Sequence, residues 1–86
     1  MITPPHQNKE VTPEHDLLVD ASGLVCPEPV MLLHSAVCEA SSGQIIKLVA
    51  TDPSTLRDVP KFCRFLGHQL IHKEEASRYL FFIRRS

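Results

Sequence analysis

At 86 residues and 9.7 kDa, with 43% hydrophobic and 22% charged residues, the chain is long enough for one compact domain and too short for two. A net charge of −1 argues against a dedicated nucleic-acid binder, which draws affinity from Lys and Arg set against phosphates. The three cysteines, Cys26, Cys38 and Cys63, fit neither a disulfide framework nor a CxxC redox or zinc pair, and no apolar run approaches the roughly 20 residues of a membrane span.

Residues 1–15 hold three of the seven prolines and only Met1, Ile2 and Val11 as apolar side chains, so this stretch is expected to be a disordered N-terminal tail. It lacks the apolar region of a signal peptide, which points to a cytoplasmic protein. The domain is expected at residues 16–86. Asp16 to Ala21 has a β-branched apolar centre and precedes the Ser22-Gly23 turn signal, so it reads as a strand. Helix one is expected over Pro27 to Ala40: prolines suit a first helical turn, and Val30, Leu33, Val37 and Ala40 recur at helical spacing. Ser41-Ser42-Gly43 stops it, and Gln44 to Ala50 is a short Ile/Val-rich run suited to a buried strand.

Pro60 limits the start of the next helix, because its ring clashes with the preceding turn and it has no amide hydrogen. Asp58 is therefore the expected N-cap, with Val59, Phe62, Cys63 and Leu66 as the apolar stripe and Gly67 as the stop. His68 to Lys73 and Arg78 to Arg85 read as an antiparallel hairpin. The order β-α-β-α-β-β implies an α/β (α+β) two-layer sandwich, a four-stranded mixed sheet with two helices on one face. Lys73, Arg78 and Arg84 are expected to coat the uncovered face.

Cys26 is the feature most suggestive of chemistry. A thiol just before a helix feels the positive end of the macrodipole, so thiolate is favoured, while Glu28 opposes the effect. Pro27 and Pro29 leave amide donors only at Glu28, Val30 and beyond, on a backbone fixed in advance. Cys63 falls on an apolar stripe and reads as core; Cys38, near the edge of the first stripe, is expected to be partly buried and inert. Cys26 should then be the fastest of the three toward iodoacetamide. Asp52, Thr55, Arg57 and Asp58 follow the second strand, and loops at the carboxyl ends of parallel strands gather together, which brings these residues toward Cys26. Of them Arg57 is the best candidate to assist an anionic sulfur, whereas Asp52 and Asp58 serve equally well as turn and cap residues. His68 and His72 lack the geometry of a metal pair, and no metal site is expected.

The string Asp20-Ala-Ser-Gly-Leu-Val-Cys26-Pro-Glu-Pro-Val-Met31 resembles the signature of the TusA (SirA-like) sulfur carrier family, whose hallmark is CPxP. Thr51 to His68, with Asp52-Pro53, Arg57-Asp58, Pro60 and Phe62-Cys63, resembles a second family segment, and the likeness extends over about residues 16–86. The resemblance implies that Cys26 accepts sulfane sulfur from a cysteine desulfurase, carries it as a persulfide without a soluble cofactor, and hands it to a downstream sulfur-relay protein. Pro27, Glu28 and Pro29 would be its scaffold. The best-known branch leads to 2-thiouridine at the tRNA wobble position; others serve sulfur oxidation or molybdenum-cofactor assembly. Such a protein is a sulfurtransferase-type carrier, with no membrane contact and no direct nucleic-acid binding. Two rival readings come from other classes. One is a non-catalytic regulatory or RNA-binding module, which net charge −1 disfavours; the other is a thiol-disulfide oxidoreductase, which needs a resolving cysteine.

Overall fold

The computed structural model describes residues 14–86, so most of the expected tail, residues 1–13, lies outside the described residues. The elements are β1 (Leu17–Ala21), α1 (Glu28–Glu39), β2 (Ile45–Ala50), α2 (Thr55–Leu66), β3 (Gln69–Glu75) and β4 (Tyr79–Arg84). Sheet order is β1-β2-β4-β3, with β1 and β2 parallel and the other two pairings antiparallel. This is the expected two-layer sandwich.

Alternation in the strands explains why one face is dry. Leu17, Val19 and Ala21 of β1, Ile46, Leu48 and Ala50 of β2, and Phe81 and Ile83 of β4 point to the same side. There they meet Leu33, Ala36 and Val37 of α1, its C-cap Ala40, and Val59 and Cys63 of α2, so both helices cover that face. The α1 stripe is thus the expected one, with Ala36 added and Val30 partly buried at its edge.

The start of α2 departs from expectation. The helix begins at Thr55 with Ser54 at the N-cap position, and Asp58 lies a full turn inside it. Pro60 lies inside the helix, and the turn before it is held by Asp52. The Asp52 carbonyl accepts from the Thr55 amide at 3.0 Å and the Thr55 hydroxyl at 2.7 Å, and Asp52 Oδ1 takes the Ser54 amide at 3.2 Å. Thr55 is accordingly buried and structural. Because the earlier start extends the buried side to Thr55 and Leu56, the helix centres its core contact on Val59 and Cys63, and Leu66 is left exposed at the rim. Gly67 ends the helix as expected: at φ 81° it adopts the left-handed cap conformation that L side chains avoid, and the His68 amide closes onto the Cys63 carbonyl at 2.9 Å.

The open face is also coated differently. An irregularity between Leu70 and His72 shifts the phase of β3, so that His72 and Glu74 pair with Phe82 and Leu80 on the open side. Lys73 pairs with Phe81 on the helix side and bonds Glu75 at 3.2 Å, whereas Arg84 remains where expected and Arg78, just before β4, acts on the charge of the open-side Asp20. Phe82 lies on the open side, beneath His15, His72 and the Lys47 ammonium 5.7 Å from its ring centre.

Candidate functional site

The parallel pair β1-β2 ends at Ala21 and Ala50, and both chains then turn at the same end of the sheet. Two hydrogen bonds tie the turns together: the Gly23 amide donates to Thr51 Oγ1 at 2.8 Å, and the Cys26 amide donates to Asp52 Oδ2 at 2.7 Å. Cys26 is thereby held against the entry to α2, although 26 residues separate it from Asp52 in the chain. The same carboxylate oxygen accepts the Ser54 hydroxyl at 2.7 Å, so Asp52 fastens the loop before α1 and the first turn of α2 at once. These charge-assisted contacts hold the Asp52 carboxyl below its usual range; the Ser54 hydroxyl contributes most, followed by the Cys26 amide.

Of the expected cluster, Asp52, Arg57 and Asp58 all border Cys26, and Thr55 is the one given over to the fold. Pro27 occupies the N-cap position of α1 and the Cys26–Pro27 peptide is cis. The amide of Glu28 is already bonded to the Val25 carbonyl at 2.9 Å, so it is not one of the free donors that the proline pattern suggested. Pro29 is buried and anchors the turn, while Glu28 is exposed.

The electrostatics of the thiol run opposite to the helix-dipole expectation. The Cys26 pKa is raised, chiefly by the neighbouring Asp58 carboxylate, which favours the protonated form; desolvation adds to this. Ser54 and Arg57 act the other way but do not prevail. Arg57 Nε instead bonds Asp58 Oδ1 at 2.9 Å, and this contact is the main reason the Asp58 carboxyl is held low. Asp58, expected as a cap or a supporting group, is the dominant influence on the sulfur. Spacing gives no sign of this, because the two residues meet only once β1 and β2 are paired.

Beside the cluster lies an open apolar groove between α1 and α2. One part, about 400 Å³, is lined by Pro27, Val30, Asp58, Lys61, Phe62 and Phe65; the next, about 550 Å³, continues along Met31, His34 and Leu66. Met31 and Phe65 are 59% and 86% exposed, uncommon for such side chains on a free surface. The sequence reading did not anticipate this groove, although Phe65 next to the stripe was a visible signal.

Cys63 is 2% exposed within the core, as expected, and burial pushes its thiol up to about 11. Cys38, by contrast, is exposed. It sits one residue past the buried Val37 on α1, outside the arc that the sheet covers. His68 Nδ1 accepts from the Ser86 amide at 3.0 Å and His72 Nε2 contacts Glu74 at 3.1 Å; among the described residues no group of three or more His, Cys, Asp or Glu side chains could hold a metal ion. No helix among them is long and apolar enough to cross a membrane.

The same fold, a mixed four-stranded sheet with two helices on one face, is found in a solved SirA-like protein from Desulfitobacterium hafniense. That structure superposes with a TM-score of 0.70 at 21% identity, covering 80% of this chain and 96% of the other. The profile of the family described as Sulfurtransferase TusA matches residues 18–85. A relative from Pseudomonas entomophila named sulfur carrier protein TusA is 58% identical over 72 residues, which is 83% of this chain and 90% of the relative. One of the same name from Pseudomonas putida is 56% identical over 71 residues, 81% of this chain and 89% of its own. The chain belongs to the TusA family.

Proposed function

We propose that this protein is a cytoplasmic sulfur carrier in which Cys26 accepts sulfane sulfur from a cysteine desulfurase and passes it, as a persulfide, to an acceptor protein. The observation that carries the reading is an exposed cysteine fastened by its own backbone to the Asp52 carboxylate, next to an exposed apolar groove. A carrier thiol must be reachable by two different proteins, which exposure allows, and must be held rigidly enough for sulfur to approach in line. The groove offers the apolar contact that a transient protein partner needs.

In the loading step the Cys26 sulfur attacks the terminal sulfur of the donor persulfide. A bond forms between Sγ and that sulfur, the donor's S–S bond breaks, and the donor's inner sulfur leaves with the electron pair and takes up the proton that Cys26 loses. No net oxidation occurs, so the step calls for no soluble cofactor. Unloading repeats the exchange with Cys26 as the leaving thiol. The family resemblance favours an onward route toward 2-thiouridine in tRNA, with the modification itself performed by the acceptor's partners.

Intact-mass measurement after incubation with a cysteine desulfurase and cysteine tests the proposal. The wild-type protein is expected to gain one reducible sulfur atom and Cys26→Ser none. Serine keeps a small polar residue before Pro27, so the variant is expected to stay folded. Loading of Cys26→Ser at the wild-type rate would overturn the assignment.

A further inference from the structure

We infer that the Asp58 carboxylate is a selectivity device, which keeps Cys26 from taking sulfur from small anionic donors such as polysulfide while leaving it open to a docked protein donor. This rests on the carrier reading above.

The geometry supplies two effects that act together. Asp58 stands at the mouth of the groove beside Pro27, and its side chain is 21% exposed against 72% for Arg57. A partly sheltered carboxylate acts on its neighbour more strongly than an exposed guanidinium, whose charge is screened by water. Asp58 thus holds the proton on the Cys26 thiol, and an unassisted small molecule meets the weaker nucleophile. The second effect is direct repulsion. Polysulfide is an anion, and at Cys26 it would approach Asp58 and Asp52, with Glu28 on the first turn of α1. The positive groups facing the cluster are Arg57, already paired to Asp58, and Lys61, which lies along the same groove.

A protein donor evades both effects. It can bring its own cationic side chain to the carboxylate, exclude water from the groove and hold its persulfide in line with Sγ, so that docking releases the nucleophile. The exchange is the one already written: Sγ gains the terminal sulfur, the donor's inner sulfur leaves as thiolate, and the Cys26 proton passes to that leaving group. With polysulfide the shortened polysulfide anion plays the part of leaving group.

The test compares wild-type protein, Asp58→Asn, Asp58→Glu and Arg57→Ala in three reactions: persulfide formation with sodium polysulfide, persulfide formation with a cysteine desulfurase and cysteine, and alkylation of Cys26 by neutral iodoacetamide as a function of pH. Asp58→Asn is expected to load from polysulfide several-fold faster at pH 7 and to begin alkylating at lower pH. The gain with anionic polysulfide should exceed the gain with iodoacetamide, so the ratio of desulfurase loading to polysulfide loading falls. Asp58→Glu should restore the wild-type ratio, and Arg57→Ala should move alkylation to higher pH. If Asp58→Asn does not fold, Arg57→Ala and Asp58→Glu decide by these same directions. An unmoved alkylation profile and an unmoved ratio in Asp58→Asn would overturn the inference while desulfurase loading of the wild type still stood. Absent desulfurase loading with the profile shifted would instead sink the carrier reading.

Discussion

Cys26 and Cys63 both have pKa values pushed upward, yet the leading cause differs. Cys63 is raised by desolvation within the core formed with Val59, Leu48 and Phe81, a condition that lasts as long as the fold does. Cys26 is exposed and is raised first by one neighbouring carboxylate, Asp58, an influence that a partner or a mutation can remove without touching the core. A thiol silenced by burial is structural; one restrained by a neighbouring charge can be released. Proximity to a helix start does not by itself set the state of the thiol, because at Cys26 a side chain from the other helix favours the protonated form.

The largest expected effect falls on the core side of this contrast. Leu33 is fully buried between α1 and the sheet, so Leu33→Ala should cost about 2–5 kcal/mol, read by urea unfolding, and should impair loading only by depleting the folded state. Cys63→Ser places a hydroxyl in the same core and is expected to cost about 1–3 kcal/mol where it finds no partner. Cys26→Ser should leave the melting temperature unchanged while removing sulfur acceptance. Equal losses of stability for the two serine variants would dissolve the distinction between them.

Asp52 joins the two regions, and its effect is smaller. Its carboxyl is depressed, so the stability it adds is present above the ordinary carboxylate range and is lost as pH falls through the depressed value. In Asp52→Ala the Cys26 amide should exchange with solvent several-fold faster, measured by NMR, and a wild-type acid titration of that amide should report the same loss. An amide as protected in Asp52→Ala as in the wild type would show that the loop is held some other way.

A further expected effect is confined to alkaline pH. Because the Cys63 thiol is raised from 9.0 to about 11, the unfolded chain ionises first as pH increases, and stability should decline across that window. Cys63→Ala should show a shallower decline in chemical unfolding at a series of pH values. An identical slope would mean that Cys63 does not titrate as a buried thiol.

Much of this architecture is legible in the sequence because it depends on short-range pattern. The stripe Leu33, Val37 and Ala40, the Ile/Val run of β2 and Gly67 after α2 each state their structure within a few residues. The start of α2 is misread for an instructive reason: Pro60 signals a helix boundary locally, but the Asp52 carbonyl and carboxylate organise Ser54 and Thr55 and move the start ahead of it. The irregularity in β3 that moves Lys73 to the helix side leaves no mark that alternation can detect. Cys38 looks half-buried because it adjoins the stripe, yet one residue is about 100° of helical turn, enough to carry it into solvent. For the site, sequence motifs identify Cys26 and draw Asp52, Arg57 and Asp58 toward it. Which charge governs the thiol depends on contacts made across the fold.

The central claim is that Cys26 alone is the carrier, and the exposure of Cys38 makes the location of the sulfur the most direct test. Wild-type protein loaded with a cysteine desulfurase and cysteine, trapped by alkylation and digested, can be mapped by peptide mass. The account predicts the additional sulfur on the peptide containing Cys26, with Cys38 alkylated but unloaded and Cys63 unmodified. Sulfur found chiefly on Cys38 or Cys63 would contradict it.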